Sequence, residues 1–130
     1  MAVTLKGTGM QKSILIVDDH ARVRRILRDF FENYGAGLAV HEAADGIEAL
    51  EKVSEMKPDL IVLDLSMPRL NGLQAAKRIR AMNVNAPIIM FTMHAAEIPA
   101  TAITSSQLDA VVMKPDLDSL HQQVEFFLNR

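Results

Sequence analysis

The chain of 130 residues has no cysteine, no tryptophan and only one tyrosine. Without thiols it can form neither disulfide bonds nor thiolate metal sites. No apolar run reaches the roughly 18 residues that a membrane-spanning helix requires, and the N-terminal stretch MAVTLKGTGMQK lacks the apolar segment of a signal peptide. We therefore expect a cytoplasmic protein with no membrane association, and we interpret residues 1–11 as a flexible tail or a remnant of cloning.

The chain also lacks a large excess of positive or of negative charge. The net charge is −2, which gives no electrostatic reason to bind nucleic acid or an anionic membrane. Hydrophobic residues make up 49% of the chain, as in a globular protein, and the length suits a single domain. We interpret the eight methionines as filler of the hydrophobic core.

Five short apolar runs have the length of β-strands. They are SILIV at 13–17, LAVHEA at 38–43, DLIVL at 59–63, PIIMF at 87–91 and AVVM at 110–113. Four of them read as almost continuously apolar, which is typical of parallel strands covered on both faces. The mixed run at 38–43 is better suited to the edge of a sheet.

Segments with helical spacing of apolar residues alternate with these runs. They lie at 23–31, 47–53, 71–82 and 117–128, and a weaker one lies somewhere in 97–106, where Pro99 fits only a first turn. This alternation predicts one doubly wound α/β domain, in which five helices flank a five-stranded parallel sheet.

Polar residues stand where the predicted strands end. Asp18 and Asp19 follow the first strand and Asp64 the third, while Thr92 and Lys114 follow the fourth and the fifth. The ligand crevice of such a sheet lies outside these ends. If the first and third strands are neighbours, three carboxylates converge and repel one another, and a hard cation such as Mg²⁺ would relieve that repulsion.

With a cation present, these residues suit phosphoryl transfer. Asp64 is the predicted carboxylate nucleophile, while Lys114 and Thr92 are predicted to contact the oxygens of the phosphoryl group. Each residue alone has an ordinary structural explanation: an acidic pair often caps a helix, and a single Asp often begins a turn. The combination at matching strand ends favours the functional interpretation.

Other charged residues give weaker signals. Arg22, Arg24, Arg25 and Arg28 are interleaved with Asp29 and Glu32, so we interpret them as a solvated helix face and predict no direct nucleic-acid binding. His20, His41, His94 and His121 show no ligand spacing, and we assign no metal to them.

The segments ILIVDDH, PDLIVLDLSMPRLNG, MFT and VVMKP resemble the signature blocks of the response-regulator receiver domain of two-component signalling. The resemblance covers residues 12–129 and implies a CheY-like, flavodoxin-like domain over 12–130 with strand order 2-1-3-4-5. It makes Asp64 the phosphoacceptor. Asp19 becomes a direct Mg²⁺ ligand, Asp18 a largely water-mediated one, and the backbone carbonyl of Ser66 a further ligand.

The same resemblance gives Thr92 the role of switch hydroxyl and Lys114 that of phosphate partner, with a cis peptide bond usual between Lys114 and Pro115. The implied function is to accept a phosphoryl group from a sensor histidine kinase or phosphotransfer protein. Phosphorylation would then change the binding of an output partner through the fourth helix, fifth strand and fifth helix. That partner could be a second copy of the chain, which would give a homodimer. Such a domain is not a turnover enzyme. It is either a stand-alone regulator or the receiver of a longer protein.

Several positions depart from the family pattern. Val111 replaces the usual switch aromatic, Met93 replaces a small residue after the switch threonine, and Gln107 replaces a helix-ending glycine. Ser66 and His94 occupy positions that tune dephosphorylation. These departures keep open a phosphorylation-independent interaction module. A haloacid-dehalogenase-type phosphohydrolase is a further alternative, although it expects an Asp where Ser66 stands.

Overall fold

The computed structural model describes residues 11–33, 38–105 and 107–129. The strands are β1 (Ser13–Val17), β2 (Ala39–Ala43), β3 (Leu60–Leu63), β4 (Ile88–Thr92) and β5 (Ala110–Met113). The helices are α1 (Ala21–Glu32), α2 (Gly46–Met56), α3 (Gly72–Ala81), α4 (Thr101–Thr104) and α5 (Leu117–Leu128). A short 3-10 helix spans Ala95–Glu97. The predicted tail at 1–11 falls outside the described residues except for the exposed Gln11.

The five strands form one parallel sheet in the order β2-β1-β3-β4-β5. The predicted doubly wound α/β fold and its strand order are therefore confirmed. In the register, Val17 at the end of β1 lies beside Leu63 at the end of β3, and Thr92 of β4 lies beside Met113 of β5. The residues that follow β1 and β3 are consequently neighbours in space.

The sheet separates two hydrophobic cores. Leu15 of β1 belongs to the core that also contains Val53 of α2 and Ile79 of α3. The next residue, Ile16, faces the other core, with Phe31 of α1 and Val124 of α5. Successive side chains of a strand point to opposite faces, so a strand covered on both sides must be apolar at every position. This requirement explains the continuous apolar runs in the sequence.

Helix starts explain several polar residues between the elements. Asp45 accepts a hydrogen bond from the Glu48 N–H at 2.8 Å and begins α2. Asn71 and Gln74 form a reciprocal capping box at the start of α3. Such caps satisfy backbone donors that have no partner within the helix.

The fourth helix is shorter than its segment in the sequence suggested. α4 has four residues, of which only Ala102 is buried. The Ala102 N–H donates to the Pro99 carbonyl at 3.0 Å, so Pro99 lies just before the helix, and the Gln107 N–H donates to the Ala102 carbonyl at 3.1 Å beyond its end. Weak helix formers in TAITSS account for the short helix.

Some of the methionines lie in the hydrophobic core, and others are exposed on the surface. Met90 is fully buried, but Met93, Met113 and Met82 expose 74%, 56% and 40% of their surface. The interpretation of all methionines as core filler is therefore wrong for these three. Within the described ranges, no helix combines the length and apolar character needed to cross a membrane.

Candidate functional site

Backbone hydrogen bonds between neighbouring strand ends bring the predicted site residues together. The Asp64 N–H donates to the Val17 carbonyl at 2.9 Å, which ties the end of β3 to the end of β1. The Lys114 N–H donates to the Thr92 carbonyl at 3.0 Å, which ties β5 to β4. Among the described residues, the only buried polar or charged ones are Asp18, Asp64 and Thr92. All three lie at this edge of the sheet.

Three carboxylates and one imidazole converge at the same edge. Asp18, Asp19, His20 and Asp64 each offer one ligand atom, and these atoms all lie within 4.8 Å of one another. Asp18 and Asp64 are buried, whereas Asp19 and His20 are exposed. The structure thus unites the three aspartates that the sequence singled out. Their assignment as metal ligands stays a prediction.

Lys114 reaches into this cluster from the far strand. Its Nζ lies 2.6 Å from Asp18 Oδ2 and 3.5 Å from Asp64 Oδ2. The same ammonium group lies 6.0 Å from the centroid of the Phe91 ring. The peptide bond between Lys114 and Pro115 is cis, as the resemblance implied. The Lys114 ammonium group therefore bridges the buried carboxylates of Asp18 and Asp64.

The electrostatics of the site are unbalanced at Asp64. Burial, followed by the nearby Asp18 carboxylate, raises the pKa of the Asp64 carboxyl group above its ordinary value. The Lys114 ammonium and a hydrogen bond from the Thr92 hydroxyl act in the opposite direction without cancelling the rise. A further cation near Asp64 would favour its ionised form, which is the nucleophilic one.

The loop between β3 and α3 lies tightly against the phosphoacceptor candidate. The Gly72 N–H donates to the Leu65 carbonyl at 2.8 Å, and a Cβ atom on Gly72 would lie 2.2 Å from the Asp64 carbonyl oxygen. Arg69 has a left-handed backbone (φ 68°) and forms an ion pair with Asp45. Glycine at position 72 therefore lets α3 begin directly beside Asp64.

A shallow cavity of about 370 Å³ opens beside the cluster. It is lined by residues that include Ser66, Leu65, His94 and Glu97. His94 Nδ1 lies 2.8 Å from Glu97 Oε2, and the His94 N–H donates to Thr92 Oγ1 at 3.1 Å. The two positions that tune dephosphorylation in the family, Ser66 and His94, thus face one cavity.

The contacts of two residues at the site, Arg24 and His20, were not predicted from the sequence. Arg24 donates to the Asp18 carbonyl at 2.7 Å and to Glu42 at 2.9 Å, so α1 is tied to the acidic loop. His20 Nδ1 lies 3.2 Å from Asp18 Oδ1 and 3.1 Å from Asp19 Oδ1. Adjacency to the acidic pair was the available signal for His20. The bond of Arg24 to a backbone atom leaves no trace in residue spacing.

The family model for the response regulator receiver domain matches residues 14–125. The chain therefore belongs to the response-regulator receiver domain family, a class of signalling domains in two-component systems. Receiver domains bind Mg²⁺ at an acidic pocket and interact with histidine kinases and output domains.

Individual relatives agree with this membership. The chain is 44% identical over 81 residues to the chemotaxis protein CheY of Thermotoga maritima, covering 62% of this chain and 67% of CheY. It is 43% identical over 90 residues to the uncharacterized transcriptional regulatory protein YhcZ of Bacillus subtilis, covering 67% of this chain and 42% of YhcZ. The match thus spans less than half of YhcZ.

A solved structure extends the comparison to the fold. The response regulator TrrA of Thermotoga maritima, in complex with Mg²⁺ and BeF, superposes with a TM-score of 0.79 at 31% identity. The match covers 90% of this chain and 99% of TrrA.

Proposed function

We propose that this receiver domain accepts a phosphoryl group on Asp64 from the phosphohistidine of a sensor histidine kinase or phosphotransfer protein. The observation that carries the proposal is the surroundings of Asp64. Its buried carboxylate lies 3.5 Å from the Lys114 ammonium, and the buried Thr92 hydroxyl is near enough to lower its pKa. A nucleophile, a cation and a hydroxyl donor are therefore within reach of one phosphoryl group.

The donor set fits Mg²⁺ as the metal cofactor. Carboxylate oxygens of Asp18, Asp19 and Asp64 and the backbone carbonyl of Ser66 would hold it, and Mg²⁺ favours such hard oxygen ligands. The raised pKa of Asp64 agrees with this assignment, because burial and then the Asp18 carboxylate disfavour its ionised form, and a bound cation would offset both effects. When bound, the ion would neutralise charge on the phosphoryl oxygens. The Mg²⁺–BeF complex of TrrA supports the same choice of ion.

The reaction requires little of the protein beyond position and charge. An Asp64 carboxylate oxygen attacks the phosphorus atom, an O–P bond forms, and the P–N bond to the donor imidazole breaks. The imidazole nitrogen then recovers a proton from solvent. Lys114 contacts the equatorial oxygens as a compact charge, and the Thr92 hydroxyl donates a hydrogen bond to one of them.

Phosphorylation would change the binding of an output partner through α4, β5 and α5. Thr92 is the first contact in this path, since its hydroxyl oxygen also accepts from the His94 N–H before the 3-10 helix. Val111 is half-buried against the core and offers no aromatic ring that could move. We therefore infer an output through the loop after Thr92 and α4 rather than through an aromatic switch.

The remaining assignments are also proposals. We propose that the receiver domain spans residues 12–130, that it works in the cytoplasm, and that it serves either alone or within a longer regulator. Its catalysis is limited to its own phosphorylation and slow dephosphorylation. We also propose that two copies of the chain can pair through the face that carries α4, which gives a homodimer.

The test is incubation of the full chain with Mg²⁺ and acetyl phosphate, followed by intact mass measurement. The wild-type protein and the exposed-site control Asp118→Asn should both gain the mass of one phosphoryl group, and Asp64→Asn should gain none. No adduct on intact wild-type protein would favour the phosphorylation-independent module. Rapid release of phosphate over many turnovers would favour the phosphohydrolase.

A further inference from the structure

His20 stands at a helix position that its side chain does not serve. It is the N-cap residue of α1, yet it makes no side-chain cap hydrogen bond. Ser, Thr, Asp and Asn are preferred there because their short side chains accept from the first turn. The imidazole turns instead to the acidic pair, with Nδ1 3.1 Å from Asp19 Oδ1 and 3.2 Å from Asp18 Oδ1. Helix stability therefore gives no reason for histidine at this position.

The imidazole changes the chemistry of the ligand set. With His20, the converging groups comprise three carboxylates and one nitrogen donor, all within 4.8 Å. Mg²⁺ prefers oxygen ligands and keeps several waters, whereas imidazole suits borderline ions such as Co²⁺ and Zn²⁺. The His20 side chain is 67% exposed, so it has room to reorient towards an ion between the carboxylates.

We propose that His20 is a direct metal ligand and gives this site a selectivity for borderline divalent ions, Co²⁺ and Zn²⁺, that an all-oxygen site lacks. The inference rests on the metal-binding part of the proposed function. Asp64 belongs to the same ligand set and is the proposed phosphoacceptor. Such an ion would therefore take the place of Mg²⁺ beside the phosphoacceptor, which makes this site sensitive to which divalent metal is available.

The variant His20→Asn isolates the nitrogen donor. Asparagine is among the best N-cap residues, so this substitution should preserve or improve the start of α1. His94→Asn is the matched control, because His94 Nδ1 also lies beside a carboxylate, at 2.8 Å from Glu97 Oε2, but outside the acidic cluster.

The experiment measures Co²⁺ and Mg²⁺ dissociation constants by titration calorimetry on the full chain without a polyhistidine tag. Any oxygen site binds Co²⁺ more tightly than Mg²⁺, so the ratio of the two constants is the quantity to compare. Loss of the imidazole should reduce the Co²⁺ preference by roughly tenfold or more, since even outer-sphere partners of a metal ligand contribute that much. Visible absorption of bound Co²⁺ should move to longer wavelength as nitrogen is lost.

The outcomes separate this inference from the proposed function. A reduced ratio and a shifted spectrum in His20→Asn, with His94→Asn unchanged, support His20 as a ligand. Equal ratios and equal spectra in wild type and His20→Asn overturn it while leaving the Mg²⁺ site intact. If the wild type binds neither ion, the metal part of the proposed function fails as well.

Discussion

The ammonium group of Lys114 lies 2.6 Å from the Asp18 carboxylate, a contact between residues 96 positions apart in the chain. The Asp18 side chain is 3% exposed and that of Lys114 is 13% exposed. The contact joins the end of β1 to the residue after β5 across the intervening strands β3 and β4. The contact therefore has two roles: it links the ends of distant strands, and it places a positive charge within the site.

Removing the Lys114 ammonium group from this contact should destabilise the fold. Lys114→Met leaves Asp18 and Asp64 without their shared positive charge, and loss of one partner of a buried pair costs about 3–5 kcal/mol, or rather less where water reaches the pair. We expect the free energy of unfolding to fall by about 2 kcal/mol or more, measured by urea titration. Lys77→Met, at an exposed position of α3, is the control and should change it little. Equal stability of the two variants would refute the structural role.

Millimolar Mg²⁺ should raise the melting temperature of the wild-type protein. A ligand that binds only the folded chain stabilises it by mass action, by about 2.7 kcal/mol at one hundred times its dissociation constant. Asp19→Asn should lose most of this response, and Glu51→Gln, an exposed position of α2, should keep it. Differential scanning fluorimetry with and without Mg²⁺ provides the comparison. A full response in Asp19→Asn would remove Asp19 from the ligand set.

Asp45 should make the stability depend on acidity. A hydrogen bond from the Glu48 N–H, and then the Arg69 guanidinium, hold the pKa of Asp45 below its ordinary value of 3.8. A depressed pKa in the folded state contributes stability above the unfolded value and loses it as pH falls through the folded one. Near neutral pH, Asp45→Ala should cost about 1–2 kcal/mol, and this difference from wild type should shrink below pH 3.8.

Urea titrations from pH 7 down to the acid limit of folding measure this effect. Asp45→Asn is the matched control, since asparagine keeps the cap but has no carboxyl group to titrate. It should lie closer to wild type than Asp45→Ala does. A difference that stays constant with pH would show that the carboxylate charge does not matter.

Alanine at Gly72 should destabilise the protein although alanine is the better helix former. Its Cβ atom would lie 2.2 Å from the Asp64 carbonyl oxygen and 2.9 Å from Leu65 Cα, and neither backbone atom can yield easily. We expect a loss of about 1–3 kcal/mol or more, typical of overpacking, measured by urea titration. Ser54→Ala, at an exposed position of α2, changes helix propensity without a clash and should be neutral or slightly stabilising.

The sequence predicted the frame of the fold well because buried parallel strands require apolar residues at every position. The runs at 13–17 and 110–113 coincide with β1 and β5, and the segment at 117–128 coincides with α5. The fourth helix could not be placed in advance. Its residues are poor helix formers and only Ala102 is buried, so neither propensity nor apolar spacing marks its ends.

The sequence also predicted which residues form the candidate site, because the ends of parallel strands meet at one edge. It did not predict which of these residues contact one another. Whether Lys114 approaches Asp18 more closely than Asp64 depends on side-chain rotamers, which residue spacing does not determine. The same is true of His20, whose imidazole turns towards the acids rather than to the cap position that it occupies.

The short α4 has a consequence for the timescale on which its surroundings move. Among its residues, Thr101, Ile103 and Thr104 are exposed, so opening this turn uncovers little apolar surface beyond Ala102. Segments of this kind open locally without unfolding the core. Amide hydrogens of α4 should therefore exchange with solvent through brief local openings, while those of β3 and β4 wait for global unfolding.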